Sequence, residues 1–463
     1  MNADQLNRED KVRDALRNWP LDAVRAPGDL AEQVVARRRR RTRLRSAAVS
    51  GLAVVGIAAG SLIAVQPGDD ARPQRGGVAS PTADPLPADW KPWGTALPSV
   101  HINDCLPVGD ALYCNGQGYV ALKVDARTGK TLWSVKEGKG GGDSYGGTMG
   151  GVRDGIVYTF ADRYPGTSYE RTDLTALDAD TGKELWRHGL ADDHRDTTAA
   201  IPIEGGVFAN TPRFKTMKGL DARTGKELWE YKWGKGIHCE RTAVAGVPYV
   251  ICGREKDRWE VTLDVIRLDP RTGEAKKVAS IPGATAHTGN TADSLVFAEY
   301  EGDQPLYQAT GISALITVDA DSGKVDTKPV RDVPAGGTSL VGDVVFVSRQ
   351  ARLTALDADS GEKLWSRELA LKLDPGKGEF PMPERLSDPA VIDGRQVAYV
   401  LSSRGELVGV DLADGKQVWS GSVELPKLPE GADPRVPQLI PYRDVLLGRA
   451  NEHLFALRPE PTG

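Results

Sequence analysis

Short apolar runs separated by polar turns recur along most of this chain, and one ten-residue phrase recurs with them almost unchanged. Its fullest copy runs from Leu177 to Trp186, as Leu-Asp-Ala-Asp-Thr-Gly-Lys-Glu-Leu-Trp, after an apolar run that starts at Leu174. The run is typical of a strand, Asp178 can accept hydrogen bonds from turn amides, and Gly182 supplies the positive φ of a tight reversal. Each copy therefore predicts a β-hairpin.

The copies are counted by their turn aspartate and their terminal tryptophan. Five copies keep both residues, and two decayed copies keep only the turn, with Lys277 and Thr327 at the tryptophan position. The aspartates are Asp125, Asp178, Asp221, Asp269, Asp319, Asp357 and Asp411, and the tryptophans are Trp133, Trp186, Trp229, Trp365 and Trp419. Successive aspartates lie 38 to 54 residues apart, the length of one four-stranded unit. Because one such sheet cannot bury both faces alone, the units must stack into a ring, an all-β propeller.

The two ends of the chain decide the number of blades. After the seventh unit, residues 436–458 hold three further strand-like runs and then no fourth. The missing outer strand is available between Trp90 and Leu97, ahead of the first unit. Closing the ring with it removes the open sheet edge and gives eight blades of four antiparallel strands. Seven blades with a trailing segment is the alternative.

The repeat resembles the quinoprotein-type, or pyrroloquinoline quinone (PQQ)-like, propeller repeat. The signature Ala-x-Asp-x-x-Thr-Gly-x-x-x-Trp is matched by Ala176, Asp178, Thr181, Gly182 and Trp186, and the resemblance covers about residues 90–458. It implies that the tryptophans dock between adjacent blades, so we assign them to packing rather than to a cofactor. The same family includes the non-enzymatic BamB-type scaffold propellers, which bind and do no chemistry.

The sequence ahead of the propeller predicts a membrane anchor. Residues 46–65 carry no charge and would span about 30 Å as a helix, enough to cross a bilayer. Seven arginines precede them between Arg37 and Arg45, whereas Asp69 and Asp70 follow. The arginine side should stay in the cytoplasm, which places the propeller outside. A cleaved signal peptide is the alternative, but the segment is long and lacks the usual cleavage pattern.

The predicted organisation therefore has four parts. Residues 1–45 form a basic cytoplasmic tail, 46–65 the transmembrane helix, 66–89 a flexible stalk rich in Pro and Gly, and 90–463 the propeller. Net charge is +5 over residues 1–45 and −10 over the rest, which gives the −5 of the whole chain. The arginine run suits anionic lipid headgroups, and nothing in the charge pattern requires nucleic acid.

The four cysteines form two pairs, each symmetric about a turn. Cys105 and Cys114 lie equally far from Gly109-Asp110, and Cys239 and Cys252 are placed in the same way about their own turn. In an antiparallel hairpin such residues face each other closely enough for a disulfide. We predict both disulfides, which indicate an oxidising, extracytoplasmic location. Free buried cysteines are the alternative.

No pattern of residues predicts catalysis, a metal or a cofactor. Many PQQ-dependent dehydrogenases use a disulfide between adjacent cysteines, and this chain has no adjacent pair. We interpret four histidines that precede first strands but do not align as exposed loop residues rather than metal ligands: His101, His194, His238 and His287. The glycine-rich stretch from Gly138 to Gly151 lacks the ending of a phosphate-binding loop.

These features favour a single-pass membrane protein whose extracytoplasmic propeller is a non-catalytic binding or scaffold module. The expected partners are membrane lipid, at Arg37–Arg45, and a protein or envelope ligand. The runner-up is an extracytoplasmic sensor that signals to the cytoplasmic tail. A PQQ-dependent dehydrogenase is a more distant alternative.

Overall fold

The computed structural model describes residues 84–96, 102–116, 118–136, 149–162, 172–189, 200–210, 216–256, 260–281, 285–301, 309–371, 373, 386–392, 394–425, 436–450 and 453–460. All regular structure within these ranges is β and forms eight four-stranded antiparallel sheets. No helix in these ranges is long and apolar enough to cross a membrane, and the predicted anchor at 46–65 lies outside them.

Each sheet is one blade of a propeller. Blade 1 comprises β2 (Ile102–Val108), β3 (Ala111–Gly116), β4 (Tyr119–Asp125) and β5 (Thr131–Lys136), and blade 2 comprises β6 (Gly151–Arg153), β7 (Ile156–Asp162), β8 (Thr172–Asp178) and β9 (Glu184–Gly189). Blade 3 comprises β10 (Ala200–Ile203), β11 (Gly206–Asn210), β12 (Thr216–Asp221) and β13 (Glu227–Lys232), and blade 4 comprises β14 (Ile237–Val244), β15 (Val247–Lys256), β16 (Glu260–Leu268) and β17 (Ala275–Ile281).

The remaining blades follow in chain order. Blade 5 comprises β18 (Thr285–Asn290), β19 (Ser294–Tyr300), β20 (Ile312–Asp319) and β21 (Val325–Pro329), and blade 6 comprises β22 (Gly337–Val341), β23 (Val344–Arg349), β24 (Arg352–Asp357) and β25 (Lys363–Glu368). Blade 7 comprises β26 (Ala390–Val391), β27 (Val397–Leu401), β28 (Glu406–Asp411) and β29 (Gln417–Ser422). Blade 8 comprises β30 (Gln438–Tyr442), β31 (Val445–Ala450), β32 (His453–Leu457) and the N-terminal β1 (Trp93–Ala96).

The ring closes with the N-terminal strand, which confirms the prediction of eight blades. β1 pairs antiparallel with β32, so that Trp93 faces Ala456 and Ala96 faces His453. First strands of neighbouring blades contact one another on the inside of the ring, for example β10 with β6 and β14. The second strand β3, which lies between two strands of its own blade, is buried along its length, whereas the outer strand β5 has only exposed and half-buried residues.

The hydrophobic core is divided into layers between neighbouring blades. Between blades 2 and 3, Tyr158, Leu174 and Trp186 pack against Val207 and Leu220. Each of the eight blade junctions has such a cluster among the described residues. A single blade has no core of its own, so burial of its two faces requires both neighbours.

The repeat phrase folds as the sequence predicts, into a capped turn. In blade 2, Asp178 Oδ1 accepts hydrogen bonds from the amide and the hydroxyl of Thr181, at 2.9 and 2.7 Å. The Gly182 amide donates to the Asp178 carbonyl at 2.8 Å, and Gly182 has a φ of 71°. A residue with a Cβ is strained at this φ, which is why glycine ends the turn.

The repeat tryptophan joins one blade to the turn of the next. Trp186 Nε1 donates to the Ala222 carbonyl of blade 3 at 2.8 Å, and the ring lies over Gly225. Trp133, Trp229 and Trp365 donate in the same way to Ala179, Pro270 and Leu412, at 3.2, 2.9 and 2.9 Å. Trp93 of the closing strand makes the same contact with Ala126 of blade 1, at 3.3 Å.

Trp419 differs from the other repeat tryptophans because blade 8 has no full copy of the turn. Its ring packs edge-on against Tyr399 of its own blade, with centroids 5.7 Å apart, in the core between blades 7 and 8. The other repeat tryptophans also contact an aromatic residue of their own blade, so Trp419 keeps this part of the packing role.

In blade 4 the residue that contacts the turn of the next blade, which we call the docking position, is not the one that stands at the tryptophan position of the repeat. The β-bulge of this blade lies between Val265 and Ile266, and Lys277 pairs with Ile266. Val278, not Lys277, lies against Gly323 of blade 5. The assignment of Lys277 to the tryptophan position was wrong because the bulge has moved along the strand.

Blade 5 departs from the repeat in a second way. Strands β20 and β21 pair without a bulge, so that Thr327 faces Ile316. Lys328, rather than Thr327, lies against Gly361 of blade 6. The loss of the bulge moves the docking position one residue along the strand.

Both disulfides are present, each between directly paired residues of a blade's first hairpin. Cys105 faces Cys114 in blade 1, with Cα atoms 4.1 Å apart, and Cys239 faces Cys252 in blade 4, with Cα atoms 4.0 Å apart. The described chain contains no free cysteine.

The end of the predicted stalk is attached to the ring. Leu86 is buried, its amide donates to Asp444 at 2.9 Å, and its carbonyl accepts from Arg458 at 3.1 Å. The ring of Trp90 lies beneath the Arg458 guanidinium, 5.4 Å from its centroid. The propeller thus begins a few residues before the predicted boundary at residue 90.

Replacing Trp186 by alanine should lower the free energy of unfolding by about 3 to 5 kcal/mol, because it removes a buried ring from the junction of blades 2 and 3. Trp186→Phe keeps a ring but loses the N–H donor, so it should cost less. Urea unfolding followed by circular dichroism measures both. The control is Leu185→Ala, an exposed neighbour on the same strand, which should change stability by less than about 0.5 kcal/mol. An unchanged midpoint for Trp186→Ala would contradict the docking role.

Candidate functional site

The ring has two faces that are built differently. On the first, which we call the turn face, the turn between the first two strands of a blade meets the turn between its last two. In blade 2 the Ala179 amide donates to the Gly155 carbonyl at 2.8 Å. The same bond joins Ala126 to Asp110, Ala222 to Gly205, Ala320 to Asp293 and Ala358 to Asp343. The turn face is therefore a set of short turns bonded to each other.

At the opposite face, the loop face, lie the strand ends that the second turn of each blade and the connections between blades join. These connections vary in length, from residues 233–236 between β13 and β14 to residues 369–389 between β25 and β26. Where they are described, backbone bonds tie them down: the Ser387 amide donates to the Leu401 carbonyl at 2.8 Å. A constant ring with variable connections on one side is typical of a binding surface.

The repeat aspartates on the turn face are engaged in local hydrogen bonds. The hydroxyl and amide of Thr181 lower the pKa of Asp178 below its ordinary value. The Thr224 hydroxyl and amide lower the pKa of Asp221 in the same way. Asp125, Asp269, Asp319, Asp357 and Asp411 each accept bonds from amides of their own turn. These carboxylates hold the turns and are not aimed at a ligand.

A polar network joins the last blade to the first. Asp110 accepts hydrogen bonds from the Tyr442 hydroxyl and from Arg443, the latter at 2.8 Å, and pairs with Arg127. Burial raises the pKa of Asp110, but the bonds from Tyr442 and Arg443 outweigh burial and hold the pKa below its ordinary value. Sequence reasoning missed this network because Tyr442 and Arg443 lie more than 300 residues from Asp110.

A second polar contact crosses the same junction on the inner strands. Gln438 accepts from the Cys105 amide at 3.1 Å and donates to Asp104 Oδ1 and to the Cys105 carbonyl, both at 2.9 Å. One side chain therefore holds β30 of blade 8 against β2 of blade 1. No local sequence pattern marks such a glutamine.

The histidines do not converge on an axial site. His287 lies inside β18, its ring 5.4 Å from that of Phe297, and its Nε2 is 2.8 Å from Asn290 Oδ1. Burial lowers the pKa of His287 and keeps the imidazole neutral at pH 7. The interpretation of His287 as an exposed loop residue was wrong. His238 is exposed but lies in β14, and His101 and His194 lie outside the described residues.

Within the described ranges no group of His, Cys, Asp and Glu is arranged to hold a metal ion. The four cysteines are paired in hairpins. Five tryptophans, Trp93, Trp133, Trp186, Trp229 and Trp365, have their indole N–H bonded to the next blade. These four cysteines and five tryptophans are thus engaged in holding the ring.

The fold and the repeat define an eight-bladed propeller of PQQ-like repeats. The family model described as outer membrane protein assembly factor BamB matches residues 116–367 and 299–434. This match spans well over half of the sequence, and the chain belongs to that family.

Individual relatives give the same result at low identity. The chain is 24% identical to outer membrane protein assembly factor BamB of Burkholderia pseudomallei over 336 residues, which cover 68% of this chain and 74% of the relative. It is 28% identical to BamB of Escherichia coli over 332 residues, which cover 65% and 72%.

A quinoprotein shares the architecture. The crystal structure of quinohemoprotein alcohol dehydrogenase from Comamonas testosteroni aligns with a TM-score of 0.52 and 14% identity, over 80% of this chain and 77% of that one. At this identity the likeness concerns the fold and carries no chemistry.

Proposed function

We propose that this chain is a membrane-anchored, extracytoplasmic propeller that binds a protein or envelope ligand and does no chemistry of its own. The observation that carries the proposal is the contrast between the two faces. The repeat residues are used for turns and docking, whereas the segments that differ from blade to blade join at the loop face. We therefore assign partner binding to the loop face.

Family membership supports a scaffold role. The curated relatives are named as assembly factors for outer membrane proteins. We carry over the class of role, a propeller that holds other proteins or envelope components, and leave the partner to experiment. Net charge of −10 outside the basic tail makes nucleic acid a poor partner, because its phosphates would be repelled.

The membrane anchor rests on the sequence and on the disulfides. Residues 46–65 have the length and apolarity of a spanning helix, and the arginines from Arg37 to Arg45 favour a cytoplasmic N-terminus. The disulfides Cys105–Cys114 and Cys239–Cys252 require an oxidising compartment, which agrees with a propeller outside the cytoplasm.

Protease added to intact spheroplasts should degrade the propeller and leave a small N-terminal fragment, because only the tail and anchor are shielded. Immunoblotting with a tag at each end follows both parts. As the control, detergent-opened spheroplasts should lose the N-terminal fragment as well. A propeller that survives protease while the spheroplasts are intact would refute this topology.

Partner binding at the loop face can be tested by photo-crosslinking in living cells. A photoreactive residue at Arg349 or Arg404, exposed on the loop face of blades 6 and 7, should give a discrete adduct with the partner. The matched control is Asp359, exposed on the turn face of blade 6, which should give none. Adducts at Asp359 alone, or at none of the three positions, would contradict the assignment.

A further inference from the structure

A cleft of about 350 Å³ opens between blades 3 and 4. It lies beyond the docking tryptophan Trp229, where β13 leaves blade 3 and the chain passes through Trp233 to β14. Its volume is at the lower end of the range for small-ligand sites, about 300–1,000 Å³.

One wall of the cleft is aromatic. Tyr231 and Trp233 lie with ring centroids 6.3 Å apart and planes tilted by 30°, and Ile237 continues the apolar surface. All three side chains are half-buried. Trp233 is not one of the repeat tryptophans, and the docking contact of this junction is already made by Trp229. Trp233 packs in part against the core of this junction, and its half-exposed remainder lines the cleft.

The opposite wall is polar and electrically balanced. Asp264 pairs with Lys277 at 2.8 Å and accepts a hydrogen bond from the Ser280 hydroxyl at 2.6 Å. Burial, and then the charge of Asp264, raise the pKa of Tyr231, so its hydroxyl stays protonated and can donate. The wall thus offers both donors and acceptors and no unpaired charge.

The shifted bulge of blade 4 creates this wall. In blade 2 the bulge lies between Ala176 and Leu177, directly beside the turn, and Trp186 faces blade 3. In blade 4 the bulge lies two positions further from the turn, and Lys277 turns back toward blade 3 and Asp264. The polar wall is therefore a feature of this one blade and not of the repeat.

We propose that this cleft binds a neutral saccharide of one or two pyranose rings. A pyranose has an apolar C–H face, which suits stacking on Tyr231 and Trp233, and a rim of hydroxyls that both donate and accept hydrogen bonds. Asp264, Lys277 and Ser280 supply the complementary groups. A neutral ligand leaves the Asp264–Lys277 ion pair intact, whereas a charged ligand would compete with one of the two residues for its partner. The site does not depend on which partner the loop face takes.

The test uses the full chain in a detergent without a sugar headgroup. Cellobiose, maltose, mannobiose and N,N′-diacetylchitobiose are titrated by calorimetry and by saturation-transfer NMR. At least one should bind saturably with a dissociation constant below about 10 mM. Trp233→Ala and Asp264→Asn should each weaken binding at least about tenfold, since they remove the stacking surface and a charged acceptor.

The controls separate loss of ligand contacts from loss of fold. Glu368→Gln breaks a comparable cross-strand pair, Arg352–Glu368 in blade 6, and should leave affinity unchanged. Ser280→Ala removes an exposed hydroxyl and its hydrogen bond to Asp264 without opening a buried cavity, so weaker binding by this variant with unchanged melting supports the site even where Trp233→Ala unfolds. The proposal is overturned if none of the four sugars saturates, or if the cleft variants bind as well as the parent chain.

Discussion

The contact on which the ring depends is the hydrogen bond from a tryptophan of one blade to the turn of the next. The Trp186 indole donates to the Ala222 carbonyl and covers Gly225, where an added Cβ would lie 2.6 Å from the ring. Gly225 therefore has two roles. Its φ of 65° closes the turn, and the absence of a side chain lets the indole ring approach the backbone closely. The repeat thus specifies the hairpin and the blade junction with the same few residues.

Junctions without a docking tryptophan vary more in local structure. Val278 and Lys328 take the docking positions of blades 4 and 5, in one case with a moved bulge and in the other with none. A docking side chain smaller than tryptophan constrains the pairing register of the last two strands less, because less of its surface has to fit the turn of the next blade. The moved bulge is also what brings Lys277 to Asp264, so the cleft of blade 4 arises where the repeat has decayed.

The sequence predicted those features that depend on local pattern. Hairpins and both disulfides followed from turn residues and from spacing within about fifty residues, whereas the blade number and the closing strand followed from counting repeats and comparing the two ends of the chain. What it did not predict depends on contacts between distant segments or on bulge placement: the Asp110 network with Tyr442, the half-buried position of His287 in β18, and the side of the sheet that Lys277 occupies. A bulge reverses the face of the sheet on which every following residue of the strand lies. No residue type in β17 indicates the position of this bulge.

We propose that the repeat residues hold together a ring that binds a partner and carries out no quinone chemistry. Calorimetric titration of the full chain with PQQ and calcium, followed by dye reduction over common alcohols and sugars, tests it most directly. Our account predicts no saturable PQQ binding and no substrate-dependent reduction, because five repeat-position tryptophans are bonded between blades and the four cysteines are paired within them. Stoichiometric PQQ binding together with substrate-dependent dye reduction would contradict it.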